Sequence, residues 1–219
     1  MCKSKSIFVI FLLIINFSFS NENKIKEFKG FFDFSYDESK DKVFLQVDKL
    51  DHEFLYVGSL ASGVGSNDIG LDRGQLGSER LVKFIKKGNK LLLVEPNLYY
   101  RAETKNISEK KSVEQAFAKS VIFGFEIMET NDNHYLIDFT PFLMFDRHGV
   151  AKTLRDSNQG SYKVDKTKSA IEINNTKAFP NNVEFEALLT FSGEAKGRLI
   201  KSVTPDPDNV TVFQHHSFI

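Results

Sequence analysis

The stretch from Gly63 to Arg101 constrains the fold more than any other. A glycine-dense, charged segment (GVGSNDIGLDRGQLGSER) runs directly into an uninterrupted β pattern (LVKFIKKGNKLLLVEPNLYYRA). Two apolar runs flank Gly88-Asn89, residues that tolerate positive φ, so the second half predicts a β-hairpin. The same pattern recurs along the chain. FKGFFDFSY and KVFLQV flank the polar turn Asp37–Lys40, and IFGFEIM and HYLIDFTPFLMF flank Glu129–Asn133. SYKVDKTKSAIEI reads as a short hairpin turning at Asp165-Lys166. VEFEALLTF and NVTVFQHHSFI read as long strands on either side of a Gly- and Pro-bearing linker, Ser192–Asn209. Period-two alternation of this kind marks half-buried strands.

One strong helical segment is expected, over residues 108–123. Ser108 is placed to cap it, Glu109 suits its first turn, and Val113, Phe117, Ser120 and Val121 fall on one face. Phe117 is expected to anchor that helix to a sheet. The fold class is therefore mainly β (α+β), with antiparallel sheets from successive hairpins and one principal helix. No internal repeat is visible, so a single domain is the simpler reading.

The N-terminus sets the compartment. Lys3 and Lys5 precede an apolar run, Ile7–Phe17, and Ser18-Phe19-Ser20 places small residues where a signal peptidase reads them. Residues 1–20 read as a cleaved signal peptide and 21–219 as one β-rich domain that is secreted, periplasmic or in the cell envelope. The apolar run is short for a membrane span of about 20 residues, so no stable span is expected after cleavage. Cleavage also removes Cys2, the one cysteine, so no disulfide or thiolate chemistry is expected of the mature chain. That chain carries 27 basic residues against 29 acidic ones, a net of −2. Such a balance gives no basic face for nucleic acid.

In residue order, GVGSNDIGLDRGQLGSER, VEQAFAKSVIFGFEI, FTPFLMFDRHGVAKTL, the KAFPNNVEFEALLTF run and VTVFQHHSFI resemble the N-terminal region of a family of secreted bacterial zinc-dependent metalloproteases. In that family a β-rich domain of uncharacterised role precedes a metzincin-like catalytic domain. The resemblance implies a non-catalytic accessory domain, a scaffold or prodomain-like partner of a catalytic domain supplied in cis or from an adjacent reading frame. Zinc is expected only in that catalytic domain. The alternative is a free-standing secreted binding module for a peptide, glycan or envelope protein.

No H-E-x-x-H occurs in the chain. His52-Glu53-Phe54-Leu55-Tyr56 has Tyr where the second His belongs, and a strand would point His52 and Glu53 apart. The last strand runs to the final residue with Phe218 and Ile219 still apolar. It reads as continuing toward a catalytic domain, with Val212, Phe213, Phe218 and Ile219 facing a neighbour.

Several side-chain clusters are candidates for a role. Six glycines lie between Gly58 and Gly77, but Leu71-Asp72 stand where a nucleotide-binding loop needs Lys and Ser/Thr. Asp72 and Arg73, flanked by Gly70 and Gly74, are expected to form a buried or semi-buried ion pair that shapes the loop, or to contact another domain. Asp146-Arg147-His148-Gly149, with Asp138 on the preceding strand, resembles a small acid-base cluster. Its simpler reading is a strand end with a turn at Gly149. His215-His216 are adjacent on a strand, so at most one faces an interior site.

Overall fold

The computed structural model describes residues 24–219; the leader expected over residues 1–20 lies outside the described residues. Strands β1 (Ile25–Phe28), β2 (Asp33–Asp37) and β3 (Lys42–Val47) form an antiparallel meander. The polar turn before β3 is closed by the Asp37 carboxylate, which accepts from the Ser39 N–H at 3.0 Å and from Lys40 Nζ at 2.8 Å. β4 (Phe54–Ser62) pairs with β5 (Leu76–Lys87), and β5 turns through Gly88-Asn89 into β6 (Lys90–Glu95) as expected. An excursion carrying α1 (Ile107–Ala116) leads to β7 (Ser120–Asn131), which makes a hairpin with β8 (His134–Asp138). Two short helices follow, α2 (Thr140–Leu143) and α3 (Val150–Asp156). β9 (Gly160–Val164), β10 (Ala170–Ile171) and β11 (Lys177–Ala178) then line one edge of β12 (Val183–Ala195), and α4 (Arg198–Val203) leads into β13 (Asn209–Phe218).

All these strands belong to one antiparallel sheet in the order β1-β2-β3-β8-β7-β6-β5-β4-β13-β12, with β9, β10 and β11 against β12. The sheet curls until its two ends meet. The Phe31 N–H donates to the Phe179 carbonyl at 2.7 Å, the Ile171 N–H to the Asp41 carboxylate at 3.2 Å, and the Phe34 and Phe185 rings lie 5.0 Å apart. Strand alternation supplies the lining: Val43, Leu45 and Val47 from β3, and Val183, Phe185, Leu189 and Phe191 from β12, are buried. α2 fills the middle. Its Phe142 and Leu143, with Phe139 just before it, are fully buried, and the Phe139 ring lies 5.4 Å from Phe125 and 5.2 Å from Phe185. Each such ring removes enough apolar surface from water to stabilise the fold by about 2–3 kcal/mol. Among the described residues no helix is long and apolar enough to cross a membrane.

The mainly β, antiparallel expectation holds, with four helices rather than one principal helix among the described residues. The helix expected over 108–123 stops at Ala116: Phe117 is already extended, and the β-branched and aromatic run that follows joins β7. Asn106, not Ser108, caps α1, its Oδ1 accepting from the Ser108 and Glu109 N–H groups. α1 has no buried side chain, so Phe117 does not anchor a helix to the sheet. The expected hairpin at Asp165-Lys166 does not form. β9 and β10 pair with β12 rather than with each other, across a 3-10 turn at Lys166–Lys168 capped by Asp165.

The final strand is also placed differently. β13 is central, between β4 and β12, with Val212 and Phe218 buried in the core. Ile219 exchanges two 2.9 Å backbone hydrogen bonds with Leu55. The apolar surface expected around Val212, Phe213, Phe218 and Ile219 is therefore mostly sheet interior.

Candidate functional site

The pairing of β4 with β5 slips between Val57 and Ser59, which puts Gly58 in a bulge facing Gly77. Neither residue has a side chain to fill the space above. A Cβ on Gly77 would stand 3.0 Å from the Gly58 carbonyl oxygen and 3.4 Å from His148 Nδ1; one on Gly58 would stand 3.3 Å from Tyr56 Oη. Over this bare floor opens a cavity of about 360 Å³, walled by Tyr56, Arg80, Arg147, His148, Gln75 and Thr153, with Gly70 at its edge.

Arg147 and His148 are aimed by a side chain far away in sequence. Gln214 Oε1 on β13 accepts from the backbone N–H groups of Arg147 at 2.8 Å and His148 at 2.9 Å, and Gln214 Nε2 donates to the Phe145 carbonyl at 2.9 Å. The Arg147 guanidinium lies over the rings of Phe145, Phe142 and Phe123, 4.3, 4.7 and 5.1 Å from their centroids. Its Nη1 donates to the Ile122 carbonyl at 3.2 Å, and its buried Nε has no hydrogen-bond partner. Among the described residues no carboxylate pairs with it. Burial lowers its pKa from the ordinary arginine value, yet a guanidinium stays charged at neutral pH.

The same glutamine fixes a proton. Gln214 Nε2 also donates to His216 Nε2 at 3.1 Å, so this imidazole carries its hydrogen on Nδ1 and donates it to Tyr56 Oη at 3.0 Å. Burial, then the nearby charges of His215 and Arg147, push His216 down to about 3, so it is neutral. With its oxygen already accepting from His216, the Tyr56 hydroxyl keeps its own proton to donate. His148 Nε2 lies 3.4 Å from Gln75 Oε1, its Nδ1 is buried without a partner, and burial lowers its pKa. Arg80 pairs with Glu95 at 2.6 Å. The pocket thus combines one unpaired cation, a hydroxyl donor and neutral imidazole, an arrangement suited to an oxyanion.

Of the residues singled out in the sequence, Gly70, Arg147 and His148 meet at this pocket. The Asp146 carboxylate is engaged by backbone instead. It accepts from the N–H groups of Gly149 and Val150 at 2.8 Å and of Ala151 at 2.9 Å, capping α3. The turn at Gly149 is present, φ 83°, but it opens a helix rather than ending a strand. Asp138 binds Lys42 at 2.8 Å and the Thr140 N–H at 3.1 Å instead.

The ion pair expected between Asp72 and Arg73 is absent among the described residues, and Arg73 is exposed. Apolar anchors shape that loop. Val64, Ile69 and Leu71 are buried, the Val64 N–H donates to the Leu71 carbonyl at 2.9 Å, and the Gly74 N–H donates to Leu60 at 2.6 Å. Gly70 and Gly74 take φ of 77° and 78°, values that favour glycine.

His215 and His216 point apart, as strand geometry requires. His215, on the other face, lies between Glu184 Oε2 (2.8 Å) and Glu186 Oε2 (3.2 Å), while Asn182 and Asn175 donate to the same two carboxylates at 2.6 and 2.7 Å. Among the described residues no group of three or more His, Cys, Asp or Glu is placed to hold a metal ion. Sequence reasoning missed Tyr56, Arg80 and Gln214. The available signal was Gln214 and His216, two polar residues on the same strand face as buried Val210, Val212 and Phe218.

No curated protein and no solved structure matches the chain. The family described as Domain of unknown function (DUF5117) matches residues 74–219, which include β5 from Leu76 onward with Arg80, the excursion, α2, the α2–α3 segment with Arg147 and His148, and the strands through β13 with Gln214 and His216. On that match the chain belongs to the DUF5117 family.

Proposed function

We propose that this chain is an exported, non-catalytic domain that packs against a zinc-dependent metalloprotease catalytic domain, as its scaffold or as a prodomain-like cover. The catalytic domain, in cis or from an adjacent reading frame, supplies the zinc. The identity of the partner rests on the resemblance of the sequence segments. One structural observation supports a partner surface: the excursion over residues 96–119. β6 and β7 are adjacent antiparallel strands, which a short turn can join. The chain instead leaves the sheet between them.

The base of the excursion is built to hold. Asn97 Oδ1 accepts from the Tyr99 and Tyr100 N–H groups at 3.1 and 3.2 Å, and Asn97 Nδ2 donates to the Ala118 carbonyl at 3.2 Å. Arg101 Nη2 donates to both carboxylate oxygens of Glu53, at 2.8 and 2.9 Å, and Tyr100 stacks on Phe117 at 3.9 Å. Beyond that base lie apolar side chains without cover, with Tyr99 95% and Ile107 83% exposed. An organised segment that leaves such residues in water fits a protein-docking surface.

A catalytic domain from the resembled metalloprotease family, zinc-loaded and titrated with the full chain, tests this reading. Binding at micromolar affinity or tighter is expected, with peptidase activity raised by a scaffold and lowered by a cover. Tyr99→Ser with Ile107→Ser is expected to abolish both effects; no binding by the unaltered chain contradicts the reading. The free-standing binding module is the second reading, and the pocket over Gly58 and Gly77 favours it.

A further inference from the structure

We propose that the pocket over Gly58 and Gly77 is a carboxylate-binding site, in which Arg147 and the Tyr56 hydroxyl hold the two oxygens of the ligand. This inference does not depend on the protease reading.

The charge arithmetic selects the ligand class. Among the described residues no acidic side chain lines the cavity, and the nearest candidate in sequence, Asp146, is occupied by three N–H groups at the start of α3. Arg80 is matched by Glu95, so Arg147 is the unbalanced charge. A single net positive charge suits a carboxylate better than a doubly charged phosphate. Geometry narrows the choice further: Nη1 of Arg147 is held by Ile122, and the partnerless Nε leaves the planar side edge for an acceptor. The Tyr56 O–H supplies a second donor, because His216 already donates to its oxygen. Stacking on three phenylalanine rings holds the guanidinium in place before any ligand arrives.

Size and shape agree. About 360 Å³ lies at the small end of the range for ligand cavities, enough for a short organic acid or one acidic side chain. The glycine floor at the bulge is what makes that room, since a Cβ at Gly77 would occupy it within 3.0 Å of backbone. Two sources share this chemistry, a free small dicarboxylate and a glutamate or aspartate presented by a peptide.

Calorimetric titration of the full chain with glutarate, with the blocked peptide acetyl-Gly-Glu-Gly-amide and with inorganic phosphate tests the proposal. Saturable one-to-one binding of at least one carboxylate is expected, and tighter binding of peptide or of glutarate identifies the source. Arg147→Lys, which keeps the charge and loses the side edge, is expected to weaken binding about tenfold, or about 1.4 kcal/mol. Should that variant fail to fold, the Arg147 Nε–H resonance of the unaltered chain gives the same answer by shifting on addition of glutarate. No saturable binding up to about 10 mM carboxylate, an unmoved Nε–H signal, or tighter binding of phosphate than of either carboxylate overturns the proposal.

Discussion

Tyr56 Oη stands 3.0 Å from His216 Nδ1 across the β4–β13 pair, and the imidazole is the donor. The direction follows from Gln214, whose amide nitrogen occupies the other ring nitrogen. Tyr56→Phe would leave a fully buried N–H without an acceptor, which costs about 1–3 kcal/mol. Urea unfolding should show a lower midpoint with an unchanged slope. An unchanged midpoint would contradict this hydrogen bond between the two side chains.

The adjacent histidines of β13 predict opposite pH limbs. His216 is depressed to about 3 by burial, so its contribution is present above the unfolded value near 6.5 and is lost as pH falls toward 3. The loss at the acid end is on the order of 5 kcal/mol. His215 is raised, by its hydrogen bond to Glu184 first, against the opposing effect of burial. Its contribution is full below about 6.5 and is lost as pH rises through the raised value. Melting temperature against pH should show a shallower acid limb in His216→Gln and lose its decline above pH 6.5 in His215→Gln.

Glu184 adds to the acid side of the His215 clasp. Burial alone would raise its carboxyl, but hydrogen bonds from His215, Ser217 and Asn182 bring it below the usual value. Its stabilisation is present above the unfolded carboxylate range and is lost as pH falls through the lowered pKa. Glu184→Gln is expected to flatten the lowest part of the acid limb while leaving the region above pH 6 changed only through His215.

In the glycine-rich loop, apolar anchors carry the stability and the charges do not. Arg73→Ala should leave the unfolding midpoint within about 0.5 kcal/mol of the parent, as for an exposed side chain. Leu71→Ala, at a fully buried position, should cost about 2–5 kcal/mol. Equal effects of the two substitutions would contradict this account of the loop.

The hairpins β2–β3, β5–β6 and β7–β8 were legible because period-two alternation and turn residues such as Gly88-Asn89 are local signals; the one expected at Asp165-Lys166 does not form, because β12 takes both of its strands. Phe139–Met144 was not legible, since a short apolar run reads equally as buried strand or buried helix, and here it is the plug α2. The extension of α1 past Ala116 was misread because Val113, Phe117 and Val121 also keep helical spacing, although the next residues favour a strand. Gly70, Arg147 and His148 could be picked out as unusual, but their meeting place could not. It depends on Gln214 reaching back to Arg147 and on Tyr56 meeting His216, contacts between residues far apart in the chain. An exposed Arg73 is likewise a property of the folded loop, which no neighbouring-residue pattern reveals.

Hydrogen–deuterium exchange of the full chain, alone and with a zinc-loaded catalytic domain of the resembled metalloprotease family, tests the partner role most directly. The account predicts slowed exchange concentrated in residues 96–119, around Tyr99 and Ile107. Unchanged exchange there, or protection confined to other parts of the sheet, would contradict it.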